Sequence, residues 1–269
     1  MDNLYNNDKK KIGRQKLESS IKTSTYQKPL ISIITCVLNG EKHLEETILS
    51  IRNQTYKNYE YIIIDGNSSD STLSIIKKNE DMISYWQSEK DEGIYFGFNK
   101  GLKFANGDLI VFVNSDDTLT PNALQIISDY YNKNIDIDFI FGSVKKHWGI
   151  LYGYKPWKIA YTWGFYSSHS TGFYITKEAA KKVGHYNTQY KFSSDYDYFY
   201  RMIVQHKLKG IGTKKHELVG TFRRGGFSSK VLFWDHFIET IKIRLNNKQN
   251  KFLVLIIFIA KFLKNFRKI

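Results

Sequence analysis

Leu30-Ile31-Ser32-Ile33-Ile34-Thr35-Cys36-Val37 is a short, mostly apolar run rich in β-branched residues. That pattern predicts a strand buried on both faces. Asn39-Gly40 breaks it, and Leu44, Ile48 and Ile51 then recur at spacings of four and three, which predicts a helix. The unit repeats. Tyr59 to Ile64 reads as a second strand ending at Asp65-Gly66, and Ser69-Asp70 opens a helix carrying Leu73, Ile75 and Ile76. Ile83 to Gln87 is a weaker third strand, and Leu109 to Val113 is a strong fourth, closed by Asn114-Ser115-Asp116-Asp117. Thr120-Pro121 marks the next helix start, because proline at the first helical position loses no hydrogen bond. Strands alternating with helical patterns predict an α/β fold, a Rossmann-like open and mostly parallel sheet flanked by helices.

Outward from this core the composition shifts. The 269 residues are 42% hydrophobic and 25% charged, which excludes a disordered chain. A single cysteine, Cys36, excludes a disulfide framework and a cysteine-built zinc site. The net charge of +14 favours a polyanionic partner. Residues 1–28 hold seven Lys/Arg against three Asp/Glu and no apolar stretch of secretory length, so they read as a basic arm, flexible or loosely docked. After about residue 143 the alternation fades into an aromatic, glycine-bearing stretch from His147 to Phe173. Helices are expected at Lys177 to Lys182 and Asp195 to Gln205.

Residues 230–269 carry nine Lys/Arg against Asp235 and Glu239, half of the charge excess. Trp234, Ile238, Ile241 and Leu245 recur at four, three and four, the stripe of an amphipathic helix. The nine apolar residues Phe252 to Ala260 are too few to cross a hydrocarbon core, which needs about 20. A cationic, aromatic-bearing amphipathic segment suits an anionic membrane interface instead. Packing against the main domain or a partner chain is the alternative.

Ligands of an open parallel sheet bind at the carboxyl ends of its strands. Thr35 and Asn39, Asp65, and Asn114 to Asp117 occupy those ends and form an acidic rim in a basic protein. Ser68-Ser69-Asp70 can cap the following helix, which leaves Asp65 for a ligand. The adjacent carboxylates of Asp116 and Asp117 repel unless a cation relieves them, and a hard divalent ion that brings a diphosphate with it does so. The G-x-G-x-x-G fingerprint, the P-loop and H-E-x-x-H are all absent.

The order Ile31-Ser32-Ile33-Ile34-Thr35, Ile64-Asp65-Gly66-Asn67-Ser68-Ser69-Asp70 and Asn114-Ser115-Asp116-Asp117 resembles family 2 glycosyltransferases of the GT-A fold. Ser88-Glu89-Lys90-Asp91-Glu92-Gly93-Ile94-Tyr95 with Asn99-Lys100-Gly101, then His169 and Phe192-Ser193-Ser194-Asp195-Tyr196-Asp197, look like later motifs of that family. Phe222-Arg223-Arg224-Gly225-Gly226-Phe227-Ser228 looks like its glycine-rich closing loop. The likeness runs from about residue 30 to 229, with residues 29–143 as the nucleotide-binding half and 144–229 as the acceptor-binding half.

The resemblance implies inverting sugar transfer from a nucleoside-diphosphate sugar, UDP-linked by expectation, assisted by Mn²⁺ or Mg²⁺. It puts Thr35, Asn39, Asp65, Asp91, Asn99, Lys100, Asp116, Arg223 and Arg224 against the donor and Asp116 with Asp117 on the metal. Asp195 is the implied catalytic base, with His169, Trp163 and Asp197 on the acceptor side. Two positions depart from the family pattern: Asn114 stands where an aspartate is usual, and Ser194 replaces a glutamate. The residues themselves also favour Asp195 over Asp197. Ser194-x-x-Asp197 reads as a capping box in which Asp197 reaches back to the Ser194 N–H, leaving Asp195 to face elsewhere.

The expectation is therefore a transferase acting on a glycan or lipid-linked acceptor in surface polysaccharide synthesis. It would lie on the cytoplasmic side, peripheral at the inner membrane face through residues 230–269, with a homo-oligomer allowed and no nucleic acid expected. The competing readings are a basic nucleic-acid-binding protein, given the charge and the aromatics, and a nucleotide-sugar-binding domain without turnover.

Overall fold

The structure, a computed structural model, describes residues 11–13, 22–134, 136–162, 170–225 and 232–265. The chain begins with β1 (Lys11–Gly13), β2 (Ile31–Val37), α1 (Leu44–Arg52), β3 (Tyr59–Asp65), α2 (Thr72–Lys78), β4 (Tyr85–Ser88) and α3 (Ile94–Phe104). It continues with β5 (Leu109–Phe112), β6 (Thr118–Leu119), α4 (Ala123–Lys133), β7 (Phe139–Phe141), β8 (Ser143–Lys146), β9 (Gly149–Leu151) and α5 (Trp157–Tyr161). The last elements are β10 (Phe173–Thr176), α6 (Lys177–Val183), α7 (Ser194–Tyr200), β11 (Gly210–Gly212), β12 (Leu218–Thr221), α8 (Phe233–Asn246) and α9 (Lys251–Asn265).

The main sheet runs β1-β4-β3-β2-β5-β10-β7-β11. Its centre, β4-β3-β2-β5, is parallel, as the doubly apolar strands require, while β10 is antiparallel to both β5 and β7. Alternate residues of β2 feed two cores. Ile34 packs on the face that also buries Phe98, Ile110 and Phe112, and Ile31 and Ile33 pack on the face covered by Leu44, Ile48 and Leu124. Gly97 and Gly101, one turn apart, let α3 lie directly on β2. A Cβ on Gly101 would fall 2.4 Å from Ile34.

β2 lies between β3 and β5, so the strand order reverses there and the carboxyl ends of all three open onto one crevice. A second sheet, β6-β12-β8-β9, stands beside it.

Several boundaries differ from the sequence reading. The helix after Thr120-Pro121 starts at Ala123, because the Thr120 backbone and hydroxyl bond to Val219 O and Leu218 O of β12. The helix expected over Asp195 to Gln205 ends as α at Tyr200 and continues as a π turn over Arg201–Gln205. Part of the N-terminal arm is docked: β1 pairs with the edge strand β4, and Lys22 Nζ donates to Tyr59 O at 2.9 Å.

The C-terminal helices also turn differently. α8 buries Phe237, Thr240, Ile243 and Arg244 and leaves Trp234, Ile238 and Leu245 of the expected stripe exposed. α9 stacks Phe258 on Phe237 at 4.7 Å and exposes Phe252, Leu255, Ile256, Ile259 and Leu263. Arg244, 1% exposed, donates to the carbonyls of Ile159, Ala160 and Thr162 at the end of α5. Among the described residues no helix is long and apolar enough to cross a membrane.

Candidate functional site

At the β3–β4 end of the crevice, three of the expected donor residues serve as framework. Asp65 is completely buried, and its carboxylate accepts from the Ser68 N–H (3.0 Å), the Ser68 hydroxyl (2.5 Å) and the Ser88 hydroxyl (2.6 Å). It therefore ties β3 to β4, while at the start of α2 Asp70 accepts from the Thr72 N–H and Glu41 from the Ser71 N–H, each at 3.0 Å. Asn39, held at a left-handed φ of 52°, accepts from Ser69 N–H at 2.9 Å and so zips the loop after β2 to the loop after β3. Thr35 is buried and accepts from the Tyr61 hydroxyl at 3.1 Å.

Asp91 is different. It is half-buried beside two glycines, and a Cβ on Gly66 or Gly97 would lie 3.4 or 3.5 Å from its carboxylate. Burial raises its pKa above the ordinary carboxylate value, with Asp65 and Glu89 adding to the rise and the Gly93 N–H and Lys100 opposing it. Lys100 pairs with Glu89 at 3.2 Å. The Asn99 amide exchanges two 2.9 Å hydrogen bonds with the Tyr186 backbone, so it clamps α3 rather than facing a donor.

The turn after β5 separates its two aspartates. Asp117 is completely buried and accepts from the Arg223 N–H (3.1 Å), Thr171 Oγ1 (2.7 Å) and Asn114 Nδ2 (3.1 Å). Three donors thus hold Asp117 in place within the turn. The Asn114 departure fits this geometry, since an amide can donate to Asp117 where a second carboxylate would repel it. Asp116 is half-buried at the crevice mouth. Arg223 forms an ion pair with Glu46 and donates to the Asp116 carbonyl at 3.2 Å, so it fastens its loop, while Arg224 is exposed.

At the start of α7 the pair divides again. Asp195 is exposed, and its Oδ1 accepts from the Tyr196 N–H at 2.8 Å and lies 3.4 Å from the Tyr95 hydroxyl. Asp197 is 3% exposed and binds Arg201 and Asn247, each at 2.9 Å. The expected capping box does not form: the N-cap is Ser193 without a side-chain cap, and the buried Ser194 hydroxyl has no partner. Asp195 remains the outward residue, by burial of Asp197 rather than by capping. Trp163, His169 and Gly226 to Ser228 lie outside the described residues.

The sequence reading missed Lys146. It is half-buried at the end of β8 with its ammonium 4.3 Å from the Phe222 ring centre, next to the loop whose Arg223 N–H holds Asp117. Burial lowers its pKa below the ordinary lysine value, while Asp117 and Asp195 both oppose that shift. It therefore lies within electrostatic reach of both acidic regions. Lys145-Lys146 looks like surface charge in the sequence, and nothing there distinguishes it. Tyr95 was legible only as a member of its motif. Burial, then the Asp195 charge, raises its phenol pKa well above the ordinary value, so the hydroxyl stays a donor.

Among the described residues no group of three His, Cys, Asp or Glu side chains is arranged to hold a metal. The crevice offers hard oxygen from Asp116, which suits an ion carried largely by phosphate oxygens: magnesium commonly takes one or two carboxylates and completes its shell from substrate and water.

An α/β domain with an acidic crevice at the strand-order reversal is the architecture of GT-A nucleotide-sugar transferases. Residues 32–199 match the family described as Glycosyl transferase family 2, and the chain belongs to that family. It is 35% identical over 109 residues to the GalNAc(5)-diNAcBac-PP-undecaprenol beta-1,3-glucosyltransferase of Campylobacter jejuni, covering 39% of this chain and 35% of that one. It resembles Staphylococcus aureus TarS 1–349 in complex with UDP-GlcNAc, with a TM-score of 0.66 at 19% identity over 80% of this chain and 65% of that one. It also resembles the mannosyltransferase PcManGT of Pyrobaculum calidifontis in complex with GDP-Man and Mn²⁺, with a TM-score of 0.62 at 16% identity over 87% and 69%. Matches to the first curated relatives span 34% to 66% of their own length.

Proposed function

We propose that the chain catalyses inverting transfer of a sugar from a UDP-sugar to a hydroxyl of a lipid-linked or surface glycan acceptor. The observation that carries this reading is Asp195. It is an exposed carboxylate at a helix N-terminus, with one oxygen held by the Tyr196 N–H. A carboxylate placed this way can serve as the general base of the transfer. In the transfer, Asp195 takes the acceptor hydroxyl proton as that oxygen bonds to the anomeric carbon. The bond to the diphosphate breaks from the opposite face, and its electron pair leaves on phosphate oxygen. Lys146 and Arg224 are the cationic side chains offered to that charge. Asp116 would hold a divalent ion together with the diphosphate, and the ion would supply further neutralisation.

The UDP-GlcNAc complex of TarS supports the choice of nucleotide, and the undecaprenol-linked acceptor in the Campylobacter enzyme's name supports the acceptor class. The test is a panel of UDP-, GDP- and dTDP-sugars with Mn²⁺, read by nucleotide release and by thermal shift with the free nucleotides. Release from UDP-sugars alone is expected. Binding without release from any donor would leave a non-catalytic binding domain, and the absence of both binding and release would sink the reading.

The same proposal includes contact with an anionic inner membrane face. Its support is the outward apolar row Phe252, Leu255, Ile256, Ile259 and Leu263 beside Lys248, Lys251 and Lys264. Leu255→Glu with Ile259→Glu should release the protein from anionic vesicles. Unchanged binding would remove this part.

A further inference from the structure

Asp195 has few contacts of its own. Its side chain meets the Tyr95 hydroxyl at 3.4 Å and the neighbouring Tyr196 N–H, so its position follows from the backbone that carries it. That backbone is held from outside its own helix. Glu239 of α8 accepts from two consecutive amides just before α7, Lys191 N–H at 2.7 Å through Oε1 and Phe192 N–H at 2.9 Å through Oε2. His236, one turn earlier, meets the Ser193 hydroxyl at 2.9 Å through Nδ1. This diverts the N-cap side chain from the capping role it would normally have.

The far end of α8 holds the other flank. Asn246 donates to the Tyr190 hydroxyl at 2.7 Å, and Asn247 donates to Asp197 Oδ1 at 2.9 Å. Three side chains of α8 and its C-cap Asn247 thus grip residues 190, 191, 192, 193 and 197, and Asp195 lies inside that bracket. α8 begins at Phe233, beyond the family match that ends at residue 199.

We infer that α8 is a positioning element for the transfer step, with Glu239 as the side chain that fixes the approach to Asp195. This rests on Asp195 acting as the base. Glu239 touches neither donor nor acceptor in this scheme; it acts through the 191–193 backbone. The geometry of proton transfer is sensitive to such support, since a displacement near 1 Å at a reacting group can lower a rate about 100-fold.

The test uses the full chain with Glu239→Ala and the shape-preserving Glu239→Gln, comparing kcat, donor KM, folded fraction and amide exchange at residues 191 and 192. Expected are a loss of kcat per folded molecule of about tenfold in Glu239→Ala, donor KM within about twofold, and faster exchange of both amides. Glu239→Gln keeps one acceptor oxygen and should fall between the two. If Glu239→Ala does not fold, the Gln variant decides alone. Unchanged kcat per folded molecule, or a fall in kcat matched by an equal rise in donor KM, would overturn the inference. A fully active Asp195→Asn enzyme would instead sink the base assignment. An inactive Asp195→Asn enzyme beside a fully active Glu239→Ala enzyme sinks only the role of α8.

Discussion

Two aspartate pairs invite comparison, Asp116 with Asp117 after β5 and Asp195 with Asp197 in α7. They follow one rule with different chemistry. In each, one carboxylate is buried and holds the local chain while the other is half-buried or exposed. The anchors differ: Asp117 is satisfied by an amide N–H, a hydroxyl and a carboxamide, whereas Asp197 has an arginine. Acidic doublets in a sequence therefore do not announce two ligands. One member can be the fixture that aims the other.

The sharpest way to break this division is Asp195→Asn. Transfer should fall about 1,000-fold while UDP affinity and Tm stay near wild type, as measured by nucleotide release, calorimetry and thermal unfolding. A loss of Tm instead would make Asp195 an anchor too.

Asp117→Asn should give the opposite signature. An amide in place of the carboxylate cannot accept from all three donors, and the cost is about 3 kcal/mol, or roughly 9 °C in Tm. Asp197→Asn should cost less, about 2 kcal/mol by denaturant unfolding, because Arg201 also donates to the Val183 and His185 carbonyls. Equal losses at the two anchors would erase the distinction between them.

Lys146→Ala tests the space between the pairs. UDP affinity should weaken about tenfold with uridine affinity unchanged, since only the phosphates lose a cation.

The smallest effect is at Asp91, whose pKa is raised in the folded state. Its favourable contribution is complete below the unfolded carboxylate pKa and is lost as pH rises through the folded value. Asp91→Asn should therefore raise Tm at neutral pH and leave it unchanged in acid. The site is half open to solvent, so the gain stays under about 1 kcal/mol, near 2 °C.

The parallel core was legible because β2, β3 and β5 are apolar on both faces, a pattern with few alternative readings. The strand ends were legible as a place for ligands. Which side chains there would be occupied was not, because their partners are remote in sequence. Asp117 is satisfied by Thr171 and Arg223, and Asp197 by Asn247. The Ser194 capping box failed for the same reason, since the Ser193 hydroxyl goes to His236, 43 residues away. The apolar stripe on α8 was real, but periodicity reports that a face is apolar and not what lies against it. The face that packs on the domain is the one with Phe237, Thr240 and Arg244.

Arg244 has a practical consequence for anyone trimming this chain. The family match stops at residue 199, which invites a cut near residue 230. Such a cut would discard the guanidinium that donates to the carbonyls of Ile159, Ala160 and Thr162 at the end of α5. A shortened protein that loses activity would then report a frayed interior and not a missing anchor. Any truncation meant to separate catalysis from attachment belongs after Gln249, which itself donates to the Ala160 carbonyl, so that α8 stays with the domain it completes.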